Sequence, residues 1–248
     1  MPGTPRERAR EQTLDDITRI GRLQLTEVGA AALSLRAVAR ELGVVSSAVY
    51  RYVANRDELL TLLVVDAYTE LGDEVDAAVA AAGPAAADRF TALALAVRSW
   101  AVREPSRYAL LYGSPVPGYA APAERTTAQG TRVVTLLARI MDDAWRSGEL
   151  DDGGPDAGSR GGGNRGGGNE MAPAELAGDY RAIREELSLA APDGVLAATV
   201  QAWSALFGAV SFEVFGQYGA GSFADLDALF RYTVRRLARQ LGLDPGRV

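Results

Sequence analysis

The sequence predicts an all-α protein: three N-terminal helices, a long fourth helix, and a helical bundle behind it. Three observations carry this. Apolar residues recur at i, i+3, i+4 and i+7 in the long segments, the spacing of one helix face. Gly or Pro stands between those segments, where helices stop. The third is the stretch from Ser34 to Leu60, SLRAVARELGVVSSAVYRYVANRDELL, which reads as two short helices around a tight turn and the start of a longer one.

Residues 1–10 are polar and Arg-rich, with Arg6, Arg8 and Arg10, and are expected to fray as a solvated tail. The first helix is expected over 11–28, where Leu14, Ile17, Ile20, Leu23 and Val28 fall near helical spacing and Gly29 follows. In 34–42, Leu35, Val38, Ala39 and Leu42 mark one face of a second helix. Gly43 breaks the pattern, as a residue free to take positive φ in a turn does. Val44 is expected to plug the turn into the shared core. Ser46 is expected to cap a third helix over 47–53, with Val49 and Val53 inward and Tyr50, Arg51 and Tyr52 partly outward. Helix, Gly-containing turn and second helix at this length make a helix-turn-helix, whose second helix enters the DNA major groove. The alternative on spacing alone is a helical hairpin that only packs.

The same residues resemble the DNA-binding signature of TetR/AcrR-type transcriptional regulators. The matching features are Gly43 and Val44 in the turn, Tyr50 in the recognition helix, and Arg56-Asp57-Glu58-Leu59-Leu60 opening the fourth helix. The match covers about a quarter of the chain. Val45, Ser47, Ala48 and Val53 depart from the residues common at those places.

Asn55 with Glu58 three residues on matches a capping box, so a long helix is expected from 55 to about 81. Leu60, Leu63, Val64, Ala67, Leu71 and Val75 give it an apolar stripe, and Gly83-Pro84 stops it. A fifth helix over 85–103 ends before Pro105. A short helix is expected over 106–112, then a Pro/Gly loop over 113–122. From Trp100 to Tyr119 the chain resembles a TetR subclass named for a Trp-His-Gly signature. Trp100 and Gly113 fit it, and Glu104 stands near the place of the His. A single helix is expected over 123–146. Residues 151–169 are low-complexity and Gly-rich and read as a flexible loop inserted between helices.

Three further helices are expected over 173–189, 193–215 and 222–241, with Pro173, Pro192 and Ser222 at their starts. In the middle one, Leu196, Val200, Trp203, Phe207, Val210 and Val214 form a bulky stripe. Ala198, Ala202, Ala205 and Ala209 form a small-residue stripe. Two apolar faces imply cover on both sides, by the chain's own core or by a partner subunit.

Composition narrows the function classes. There is no Cys and no His, which removes disulfides, thiolate chemistry and the commonest general base and metal ligand. No catalytic residue, metal or cofactor is assigned. The adjacent acids Asp142-Asp143, Asp151-Asp152 and Glu185-Glu186, which on helices point apart, read as solvated. No apolar run approaches the roughly 20 residues of a membrane span, the N-terminus lacks an apolar signal core, and a cytoplasmic location is expected. Net charge is −6, but residues 1–60 hold nine Arg against eight acids, so the acidic excess lies in the rest of the chain.

The resemblance implies a homodimeric, ligand-responsive repressor of the form DNA-binding domain 1–55 plus ligand-binding and dimerisation domain 56–248. DNA contact is expected from Ser46, Ser47, Ala48, Tyr50, Arg51 and Tyr52, with Ser34, Arg36 and Arg56 at neighbouring helix starts positioning phosphates. The two helices over 193–215 and 222–241 are expected to pair with their copies, which demands a near-palindromic operator. Trp100, Tyr108, Tyr112, Trp203 and Phe207 suggest an apolar, aromatic pocket for a small hydrophobic effector. The alternatives are a helical small-molecule-binding protein or enzyme without a DNA-binding role, or an architectural helical protein.

Overall fold

A computed structural model describes residues 4–150 and 172–243. The flexible loop expected over 151–169 lies outside the described residues. Among them there is no strand. The α-helices are α1 (Pro5–Val28), α2 (Leu35–Glu41), α3 (Ser46–Tyr50), α4 (Arg56–Ala81), α5 (Ala86–Arg103), α6 (Pro105–Tyr112), α7 (Ala123–Gly130), α8 (Arg132–Ser147), α9 (Ala177–Leu187), α10 (Asp193–Val214) and α11 (Leu226–Gln240). Contacts divide the chain into two compact units. One comprises residues up to 71 with 103–130; the other comprises 72–102 with the residues from 131 on. The helix α4 supplies residues to both.

In the first unit, α1 starts earlier than expected. Thr4 caps it in a capping box: the Glu7 amide donates to Thr4 Oγ1 at 3.3 Å, and the Thr4 amide donates to Glu7 Oε2 at 2.6 Å. Pro5 at the first helical position adds a preset φ. These devices turn the expected fraying tail into helix, with Arg6, Arg8 and Arg10 on it. Ile17 and Ile20 of α1, Leu35, Val38 and Ala39 of α2, and Val49, Val53, Leu59, Leu60 and Leu63 build the core of this unit. The helices α1 and α4 meet closely at Gly21, where an added Cβ would lie 3.1 Å from a Leu63 methyl. Asn55 caps α4 as expected, accepting from the Glu58 amide at 2.9 Å, while both Glu58 carboxylate oxygens accept from Arg125.

A charged cluster ties α1, α4 and α6 together. The Arg107 guanidinium, 5 % exposed, donates to Glu70 Oε1 at 2.7 Å and Asp66 Oδ2 at 3.0 Å. From α1, Arg22 Nε donates to the same Asp66 carboxylate at 2.7 Å. The Arg22 guanidinium is held above its ordinary pKa, first by that hydrogen bond. These inward helix faces therefore carry charge. Carboxylates 41 and 37 residues away in the chain pair with the buried cation through its two Nη groups.

The single helix expected over 123–146 is two. Gly130 ends α7 against the Tyr68 ring, where an added Cβ would lie 3.3 Å from ring carbons, and Thr131 leads into α8.

In the second unit, α10 packs on α8, α9 and α11. Its buried side is Val195, Leu196, Thr199, Ala202, Leu206, Phe207 and Val210. The two stripes expected on this helix are therefore not its two faces. Leu196 and Phe207 of the bulky stripe and Ala202 of the small one are buried, while Val200 and Ala205 are exposed. By length and composition α10 is apolar enough to cross a membrane, with mean hydropathy 1.5, contrary to the expectation that no run approaches that. Arg98 of α5 fixes both C-terminal helices. It donates to Glu213 at 2.7 and 2.8 Å and to Asp227 at 2.7 Å, with its cation over the Phe230 ring.

Asp142 corrects the reading of a solvated acid pair. Its residue is buried, and Oδ1 accepts from the Ala190 and Ala191 amides at 2.6 and 2.7 Å while Oδ2 accepts from Arg146. Burial works against its charge, but Arg146 and the two amides outweigh that and hold the carboxyl below its ordinary pKa. The α11 helix begins later than expected: Asp225, not Ser222, is its N-cap, accepting from the Ala228 amide at 2.9 Å.

Candidate nucleic-acid interface

The interface is built from the turn outward. Gly43 has φ +69, in the left-handed region that a side chain disfavours. The Val44 amide closes the turn by donating to the Ala39 carbonyl at 3.0 Å. Val44 itself is 44 % exposed and does not plug the core as expected; the nearby core is built without it, from residues that include Leu33, Val49 and Val53. The α3 helix starts at Ser46, one residue earlier than expected. Val45 holds the N-cap position, so no side chain caps the helix.

Two apolar pins orient α3. Val49 and Val53 are buried on one side, which leaves Ser47, Tyr50 and Arg51 exposed and Ser46, Ala48 and Tyr52 half-buried. Ser34 is the N-cap residue of α2 with no side-chain cap bond, and its amide donates to Gln24 Oε1 at 3.2 Å. Arg36 is exposed on the first turn of α2. Arg56 is occupied differently. Its Nη2 donates to the Ala30 and Ala31 carbonyls at 2.9 and 3.1 Å, which fixes the short 3-10 turn ahead of α2.

Charge pairing sorts the arginines of residues 4–60. Arg19, Arg22 and Arg56 lie near carboxylates. Arg6, Arg8, Arg10, Arg36, Arg40 and Arg51 make no ion pair with any described residue. Arg10 instead rests over the Tyr52 ring at 5.5 Å. An exposed side of α3 flanked by uncommitted cations suits a polyanion, which needs positive charge that internal carboxylates have not neutralised.

The residues expected around an effector are spread over both units. In the first unit, Tyr108 is fully buried and its ring lies 5.0 Å from that of half-buried Tyr112, which in turn meets Tyr68 at 6.1 Å. Burial, reinforced by the neighbouring tyrosines, pushes the Tyr112 hydroxyl far above its ordinary pKa. In the second unit, Trp100 is fully buried, and half-buried Trp203 stands edge-on to Phe207 at 5.8 Å. Tyr68 was missed in the sequence, although it lies one turn after Val64 on a helix already assigned. The described residues include no cluster of His, Cys, Asp or Glu arranged to hold a metal.

Comparison with known proteins bears on both parts of the chain. Residues 17–63 match the profile described as bacterial regulatory proteins, tetR family. Residues 90–237 match the profile described as tetracyclin repressor-like, C-terminal domain. HTH-type transcriptional regulator Rv1816 of Mycobacterium tuberculosis is 45 % identical over 237 residues, 95 % of each chain. HTH-type transcriptional regulator Mb1846 of Mycobacterium bovis matches to the same extent. Among solved structures, the protein SCO4313 superposes with a TM-score of 0.73 at 32 % identity, over 94 % of this chain and 98 % of its own.

Proposed function

Because the chain belongs to the TetR family of bacterial regulatory proteins, it is a helix-turn-helix transcriptional regulator, and we propose that it is a cytoplasmic repressor released from its operator by a small hydrophobic effector. The observation that supports this most is α3 itself, pinned by Val49 and Val53 with Ser47, Tyr50 and Arg51 outward. Arg51 reads a guanine edge, Ala48 meets a thymine methyl, and Tyr50 combines packing with a phosphate contact. Ser46, Ser47 and Tyr52 complete that surface, with Ser34 and Arg36 on adjoining phosphates. Arg56 serves by holding the turn that presents Ser34 and Arg36.

The functional division falls at residue 55, with DNA binding before it and dimerisation and effector binding after it. Two copies join through 193–215 and 222–241, so the operator is near-palindromic with half-sites about 34 Å apart. The effector favours a conformation in which α4 shifts, and the recognition helices lose their match to successive grooves. By linkage, operator DNA weakens effector binding by the factor through which effector weakens operator binding. The aromatic candidates for the effector are Trp100, Trp203 and Phe207 of one unit and Tyr108 and Tyr112 of the other.

The test is release of bound DNA by a library of apolar and charged compounds, with tryptophan fluorescence followed in parallel. An apolar compound should release DNA and change the emission over the same concentration range. Release without a tryptophan response would place the effector away from Trp100 and Trp203. Release by charged metabolites alone would overturn the apolar effector.

A further inference from the structure

The first turns of α1 carry charge that the recognition helix does not explain. Arg6 and Arg10 stand one turn apart, and Arg10 stands two turns before buried Ile17, so all three fall on one face of the helix. That is the face α1 turns toward its own unit. Before Leu14 there is no apolar side chain for it to bury, and the two arginines remain exposed. Arg8 lies on the other side, one turn before Glu11 and two before Asp15.

Arg10 also shows where this face points. Its guanidinium carbon sits 5.5 Å above the centroid of Tyr52, the residue after Arg51 at the end of α3. A cation over an aromatic face is attracted by the ring while its N–H donors remain available at the edges. Neither Arg6 nor Arg10 pairs with a carboxylate among the described residues. Of the acids adjacent to them in sequence, Glu7 accepts from the Thr4 amide at 2.6 Å, and Glu11 is exposed. The capping box and Pro5 hold the segment helical, so the ordering cost of placing these side chains is small before any ligand arrives.

We propose that Arg6 and Arg10, with Tyr52 as the platform for Arg10, form a phosphate-binding strip that extends DNA contact beyond α3 and α2 onto the first turns of α1. This rests on the regulator reading above. The strip carries no base information; it adds sequence-independent affinity and fixes the register of the head on the duplex.

The experiment measures binding of the full chain to a mixed-sequence duplex across salt concentrations. Each phosphate contact contributes about 0.9 to the slope of log K against log salt concentration. The double variant Arg6→Ala/Arg10→Ala should flatten the slope by about 2 per subunit. It should keep the wild-type base preference on DNA selected from a random pool. Arg8→Ala, on the opposite side of α1, should leave the slope unchanged. Arg6→Gln/Arg10→Gln, which preserves helix propensity, should reproduce the alanine result with an unchanged circular dichroism spectrum. A double variant that retains the wild-type slope, or that loses base preference instead, overturns the strip alone. A wild-type chain with no salt-dependent affinity for duplex DNA overturns the regulator reading and the strip with it.

Discussion

Ala205→Arg should leave the protein folded but monomeric. Ala205 is exposed on α10, at the edge of the buried side and one turn after buried Ala202. Its neighbours toward the outer side are Gln201, Ser204, Gly208 and Phe212, at the spacing of one helix face, with Val200 beside them. Phe212 is 47 % exposed and Val200 41 %, and Phe223 and Tyr232 add exposed aromatic surface on and before α11. A surface this apolar on one chain marks an interaction site, and the small residues at its centre let a second helix approach closely. In a two-fold interface each substitution occurs twice, so two guanidinium groups enter one seam without counter-charges. The dissociation constant should rise by at least about 100-fold, which corresponds to roughly 2.7 kcal/mol. Sedimentation should show monomer at micromolar concentration with an unchanged circular dichroism spectrum. Operator affinity should fall with it, because the two heads are no longer tethered. A folded variant that remains dimeric would move the seam elsewhere.

Arg107→Ala should cost about 2–4 kcal/mol of stability, toward the lower part of the range for breaking a buried ion pair. The guanidinium is almost wholly buried, and its removal takes one cation from Asp66 and Glu70, which Arg22 also approaches. Arg22 is itself 39 % exposed, so solvent screens part of its attraction, and water reaches the carboxylates as well. Urea unfolding should show a lower midpoint with little change in slope. The effect should reach DNA binding too, because the cluster sets how α1 packs on α4 and α6. A loss below about 0.5 kcal/mol would mean that the carboxylates find equivalent solvation without Arg107.

The parts of this fold legible in the sequence are those determined by local chemistry. The Asn55 cap fixes where α4 begins, Pro192 fixes where α10 begins, and Gly43 fixes the turn before α3. The start of α1 is also local, in the Thr-Pro-Arg-Glu run at residues 4–7, where the cap and Pro5 outweigh the fraying that the arginine density suggests. Other features needed contacts distant in sequence. Gly130 ends α7 against Tyr68, which stands on α4. The burial of Arg107 is decided by Asp66, Glu70 and Arg22, and no pattern around residue 107 announces them. The same is true of Asp142, whose amide partners lie in the segment before α10. For the recognition surface, spacing alone placed Val49 and Val53 inward and Tyr50 and Arg51 outward. It did not foresee that the Arg56 side chain is occupied by two carbonyls of its own chain.

Selection of bound duplexes from a random pool tests sequence-specific recognition by paired α3 helices most directly. The wild-type protein should enrich one near-palindromic sequence whose half-site centres lie about 10 base pairs, or a multiple of that, apart. On that sequence Arg51→Ala should lose roughly 1–3 kcal/mol and relax the base preference at one position in each half-site. Recovery of no preferred sequence, or of a single half-site without its inverted copy, would contradict the claim. So would an Arg51→Ala variant that keeps full affinity and specificity.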